Sequence, residues 1–148
     1  QVPESNAVRI QANTLYGALN ANSTPDLLTN GGSALPYYGL TVHKLWYDCV
    51  NPNAGDVELF WNAATPQTIA LMSGTYEYDA ASGWITIAPG NTAAPGLTGD
   101  IGIRTRGMGA NTSYTIIIEL RKDNAYYQRG QFNDPAAFNY GPTYSIRP

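Results

Sequence analysis

Side chains able to do chemistry are few in this 148-residue chain: one histidine, His43, one cysteine, Cys49, and eleven carboxylates. His43 and Cys49 fall on one predicted strand and on the same face. At ~3.3 Å per residue they sit roughly 20 Å apart, beyond the hydrogen-bond reach that a Cys–His nucleophile pair requires. An imidazole-based metal cluster needs more than one histidine, so His43 reads as a structural or surface residue. Cys49 reads as a small buried strand hydrophobe and, being alone, it closes no intrachain disulfide. Glu77 and Asp79 share a strand face about 6.6 Å apart, a spacing open to an acid–base pair but common to any exposed Glu-x-Asp. Asp48 and Asp56 bracket a loop holding Asn51 and Asn53. That gives oxygen ligands for calcium without EF-hand spacing, and a solvated loop is the plainer reading. Gly96 and Gly99 precede a strand rather than a helix, so they build no phosphate cradle. The expectation is a protein that is not an enzyme, with no catalytic residues, no metal site and no cofactor.

Trp46, Trp61 and Trp84 raise a different chemistry, the stacking of sugars on exposed rings. Trp46 falls in line with Val42, and Trp61 with Val57 and Leu59, so both are expected in the core. Trp84 follows Gly83 at a strand start and is the one expected at the surface.

Positioning these residues falls to β-strands. The charged fraction is 13%, about half the usual level, and Gly, Pro, Asn and Thr fill the difference. Residues 41–49 and 56–63 read as two long strands joined by the loop 50–55, with Val42 and Trp46 on one face and Leu45 and Tyr47 on the other. An isolated hairpin is marginal in water, so a second sheet or a neighbouring subunit must cover this pair. Further strands are expected at 7–11, as an edge or a strand covered on both sides, and at 67–72, 74–79 and 83–88. In the run 100–106, Ile101, Ile103 and Thr105 point inward and Arg104 and Arg106 outward. In 113–122, Tyr114, Ile116, Ile118 and Leu120 share a face. The last two are expected to form a second hairpin. One helical turn is expected at 24–28, capped by Thr24 with Pro25 behind it. The fold class is all-β: a single-domain antiparallel β-sandwich, jelly-roll-like, with long loops and little helix. Its parts are a flexible N-terminal arm at 1–6, the sandwich at 7–122, and an aromatic C-terminal segment at 123–148.

Net charge of −3, a pI near 4.9 and only eight basic residues supply no concentrated positive face for phosphate, so no nucleic-acid partner is expected. No apolar run approaches the ~18 residues of a membrane span. Eleven Tyr against three Phe is a composition suited to partly covered surfaces. The C-terminal segment concentrates such rings without strand alternation, and ordering it requires that they dock on its own sandwich or on a neighbour. Candidate interface residues are Tyr126, Tyr127, Phe132, Phe138 and Tyr140, with Tyr37 and Tyr38 next.

The runs His43-Lys-Leu-Trp-Tyr-Asp48, Val57-Glu-Leu-Phe-Trp-Asn-Ala63, Leu97-Thr-Gly-Asp-Ile101 and Tyr114-Thr-Ile-Ile-Ile-Glu-Leu-Arg-Lys122 follow one another over residues 37–122. Together with Asn139-Tyr-Gly-Pro142, their order and spacing resemble a family of small virion structural proteins of tailed phages infecting cyanobacteria and other aquatic bacteria. The resemblance implies a β-sandwich on the capsid exterior, a decoration or cement protein that binds and stabilises the shell. Its partners would be the major capsid protein, copies of itself, or both. A tail, neck or fibre component is the alternative virion position, and a carbohydrate-binding module meeting a host-surface glycan is a second alternative.

Overall fold

The computed structural model describes residues 4–15, 18–19, 37–50, 55–79, 86–109, 111–123 and 126–127. Among the described residues seven strands carry the fold: β1 (Ala7–Ile10), β2 (Leu40–Val50), β3 (Asp56–Trp61), β4 (Gln67–Met72), β5 (Gly74–Asp79), β6 (Ile101–Arg106) and β7 (Ser113–Lys122). They form two antiparallel sheets packed on each other, one ordered β1-β6-β3-β4 and the other β5-β2-β7. The all-β sandwich expected from the strand pattern is therefore present, and the described residues contain no α-helix, only a 3-10 turn at Ala12–Thr14. The helical turn expected at 24–28 lies outside the described residues.

The pairing differs from the expected one. β2 pairs with β5 and β7, while β3 pairs with β4 and β6, so the segments around 50–55 do not form a hairpin but step from one sheet to the other. The same holds for β6 and β7, which belong to different sheets. Two apolar strands joined by a polar loop look alike in sequence whether they pair or arch across a core; the choice rests on distant partners. Only β3 and β4 are consecutive strands of one sheet. β4 and β5 also part company, at Ser73 and Gly74, where the glycine takes φ +69°. An added Cβ there would meet nothing, so the residue serves the left-handed turn rather than a lack of space. Of the strand expected at 83–88, the described residues show a single bridge from Ile87 to Val42.

The core lies between the sheets. Val57, Leu59 and Trp61 of β3, Met72 of β4 and Ile101 of β6 on one sheet, and Leu40, Val42, Leu45 and Cys49 of β2 on the other, are all buried. A bulge in β2 between Val42 and Lys44 sets which residues join them. Alternation without it places Val42 and Trp46 together. The extra residue instead shifts the phase, so that Val42 falls in with Leu45 and Trp46 turns to the outer face. The expectation that Trp46 is core is thereby corrected, while Trp61 is buried as expected.

The N-terminal residues from Glu4 onward are pinned rather than loose. Glu4 donates its N–H to Thr105 Oγ1 (2.8 Å) and accepts at its carbonyl from the Thr105 N–H (2.9 Å). Its carboxylate accepts from the Tyr114 hydroxyl (2.5 Å) and from Arg9 (2.8 Å). Glu4 thus ties three strands together at one end of the sandwich, β1 and β7 through its carboxylate and β6 through its backbone.

By its internal contacts the chain divides into two units, Gln1–Ala12 with Pro36–Asp123, and Asn13–Leu35 with Asn124–Pro148. Within that second unit, Leu19 N–H donates to the Tyr126 carbonyl (2.9 Å) and Ala18 forms an antiparallel bridge with Tyr127.

Candidate interaction surface

Of the carboxylates that sequence pattern offered for chemistry, Glu77, Asp79 and Asp48 are engaged in holding strands together, while Asp56 Oδ1 is buried with no hydrogen-bond partner among the described residues. Glu77 and Asp79 do share a face of β5, and both are bound by Lys44 of β2, whose Nζ lies 2.8 Å from Glu77 Oε1 and 3.4 Å from Asp79 Oδ2. The hydrogen bond to Glu77 leads in raising the Lys44 pKa. Asp48 accepts from Thr75 Oγ1 at 2.7 Å, which fastens β2 to β5 one step further along. His43, in the β2 bulge, is buried, with Nε2 3.9 Å from Glu119 of β7. Cys49 is buried on the core face, and burial pushes its thiol pKa up, which suppresses thiolate chemistry.

A polar cluster that sequence reasoning missed lies on the outer face of the four-stranded sheet. Glu58 of β3 has a side chain only 1% exposed. Arg104 grips it at two points (Nε to Oε2 2.6 Å, NH2 to Oε1 2.7 Å), Arg106 NH2 donates to Oε2, and Thr68 Oγ1 donates to Oε1 at 2.7 Å. The Arg104 hydrogen bonds hold the Glu58 pKa below the usual carboxylate value against the opposing effect of burial. Arg104 also covers the Phe60 ring, 5.5 Å from its centroid, while that ring lies on Gly102, its register partner. Both arginines were expected to point to solvent. They leave the core face as expected, then fold back over a carboxylate paired across the strands. The signal was present in Glu58, Arg104 and Arg106, but only the β3–β6 register brings them together.

One cleft of about 350 Å³ is described, lined by Ala64, Thr65, Gln67, Gly90, Asn91, Ala94 and Pro95. The Gln67 amide is already committed there: Nε2 donates to the Asn91 carbonyl (2.9 Å) and Oε1 accepts the Asn91 N–H (2.8 Å). What remains is small and mostly apolar, with no titratable side chain in the lining.

The three-stranded sheet presents the broader surface. On its outer face Trp46 sits between Ile117 of β7 and Glu77 of β5 in register, with Lys44 and Asp48 on either side along β2. Ile117 is 62% exposed and Val50, further along the same face, is 52% exposed. Around them stand the Lys44–Glu77–Asp79 and Asp48–Thr75 groups and, on the far side, Glu119. An apolar centre ringed by satisfied polar groups is the anatomy of a protein interface.

The expected interface residues are dispersed. Tyr38 is 1% exposed and Tyr127 3% exposed, so their rings are buried within the chain. Tyr37 and Tyr126 are half-buried. Phe132, Phe138 and Tyr140 lie outside the described residues, as does Trp84, the expected sugar platform. Compared with known proteins, the chain matches no family model, no curated protein and no solved structure.

Proposed function

We propose that this chain is a structural protein without catalytic activity, that it docks on a larger assembly through the outer face of the β5-β2-β7 sheet, and that the assembly is a phage shell it decorates. The observation that carries the docking is the Trp46–Ile117 centre with its polar rim. Large aromatics at such centres contribute most of an interface's energy. The shell comes from the sequence resemblance to virion proteins. Support for a structural role also comes from what the ionisable groups do: Glu58 and the Glu77–Asp79 pair each bind a cation from a neighbouring strand, and Glu4 binds Arg9 and the Tyr114 hydroxyl. A rigid sandwich held by such knots suits a particle component that must last without disulfides.

A tail, neck or fibre position uses the same face at lower copy number. Glycan binding is a second reading, favoured by one observation: Trp46 stands on an outer face beside the carboxylates Asp48 and Glu77. The test is binding of Trp46→Ala to particles stripped of the native protein. Docking through this face predicts a loss of about 2 kcal/mol or more, roughly 30-fold in affinity. Unchanged occupancy would contradict it, and retention on glycan beads that depends on Trp46 would favour the second reading.

A further inference from the structure

β7 is the longest unprotected strand edge among the described residues. It pairs with β2 on one side, and over 113–121 no described group bonds its other side. Edge strands are normally blunted by a proline, a lysine, a bulge or a short length. β7 runs ten residues with no proline, its lysine is only the last residue, and the bulge in the β2–β7 pair belongs to β2. Its core-side residues Tyr114, Ile116, Ile118 and Leu120 are only half-buried, whereas their neighbours Leu45 and Cys49 are 2% and 5% exposed. The sheet is finished on the β2 side of these residues and unfinished on the other.

We infer that β7 pairs antiparallel with the β7 of a second copy, across a two-fold axis at Ile117, fusing two three-stranded sheets into one of six. The sequence of β7 selects this register. With Ile117 opposite its own copy, Ile116 faces Ile118, Tyr114 faces Leu120, Thr115 can donate its hydroxyl to Glu119, and Ser113 faces Arg121. Every pair is compatible, and residues 113–121 are all used. Sliding by one two-residue step toward the C-terminus sets Glu119 against Ile117, and a step the other way shortens the paired run to residues 113–119. A second step toward the C-terminus sets Glu119 against itself, and opposed like charges destabilise a strand pair. The inference goes beyond the proposed function and stands whichever assembly the chain joins. It uses the edge of the sheet, whereas docking uses the face. Strand addition of this size buries less than a standard interface, so the association is micromolar or weaker in free solution.

Sedimentation of the full chain at about 0.1–1 mM, the range suited to a small interface, reads the result directly. The expected mass tends to twice 16.0 kDa. Ile117→Lys, a change at an exposed position, places two ammonium groups face to face and weakens association at least tenfold, a ~1.4 kcal/mol effect. Register is read by mild oxidation of single variants. Ile117→Cys lies about 5 Å from its copy and cross-links, while Thr115→Cys, about 14 Å from its copy, does not. A chain that stays at 16.0 kDa up to ~1 mM, a dimer indifferent to Ile117→Lys, or cross-linking at 115 in preference to 117 each overturns the inference.

Discussion

Replacing Glu58 with glutamine tests the most consequential internal interaction. The change keeps the side chain's size but removes its charge, and it turns one oxygen into an NH2 group facing guanidinium donors. Glu58 has four hydrogen bonds to lose, two from Arg104 and one each from Arg106 and Thr68. Breaking a fully buried pair costs about 3–5 kcal/mol. Here the stranded cations recover some hydration, because Arg104 and Arg106 are 28% and 54% exposed. The expected loss is therefore at the lower end, about 3 kcal/mol, or roughly 6–12 °C in Tm for a chain of this length. Glu58→Leu combined with Arg104→Leu removes the carboxylate and its two-point partner, leaves only the half-exposed Arg106 guanidinium, and should recover at least half of that loss. The pH dependence follows from the lowered pKa. The Glu58 contribution is complete above the unfolded carboxylate value of ~4.3 and is lost as pH falls through the folded value, so the gap between wild type and Glu58→Gln closes below about pH 4. Urea denaturation at several pH values measures both quantities. A Glu58→Gln chain within about 0.5 kcal/mol of wild type at pH 7, the range of ordinary surface substitutions, would refute the reasoning.

Three further outcomes are expected. Gly99→Ala drives a Cβ onto the Tyr38 carbonyl oxygen in a residue held at φ +92°, and should cost about 2–3 kcal/mol by chemical denaturation. The Tyr114 pKa is pushed up to about 12, first by burial and then by its bond to Glu4, so ultraviolet titration should leave one phenol protonated well past pH 10. The stability that this phenol contributes is present below pH ~10 and is lost as pH rises toward the folded value, and Tyr114→Phe should cost about 1–2 kcal/mol at neutral pH. Cys49 should resist thiol reagents in the native protein and react fully once denaturant unfolds it; rapid native labelling would contradict its burial.

Strand positions were legible because period-2 alternation is a local property. β4 and β5 have the bounds that alternation assigns them, and Tyr114, Ile116, Ile118 and Leu120 do share the more buried face of β7. Partner choice was not local. Residues 51–55 and 107–112 are polar loops between apolar strands, which describes a hairpin and a sheet-to-sheet arch equally well; their length, beyond the tight two-residue turn, was the available hint. The bulge at His43 left no mark in composition, yet it alone moved Trp46 from the expected core to the outer face and thereby made the candidate surface. The Glu58 cluster was hidden for a similar reason, since a carboxylate on β3 and two arginines on β6 become neighbours only through register.

The proposed role of this sandwich is that of a repeated structural part of a phage shell. Quantitative mass spectrometry of purified particles, referenced to the major capsid protein, tests it most directly. A ratio near one, or a simple fraction of it, is the predicted result. A ratio of a few per cent would transfer the chain to the tail or neck, and absence from the particles would contradict the claim outright.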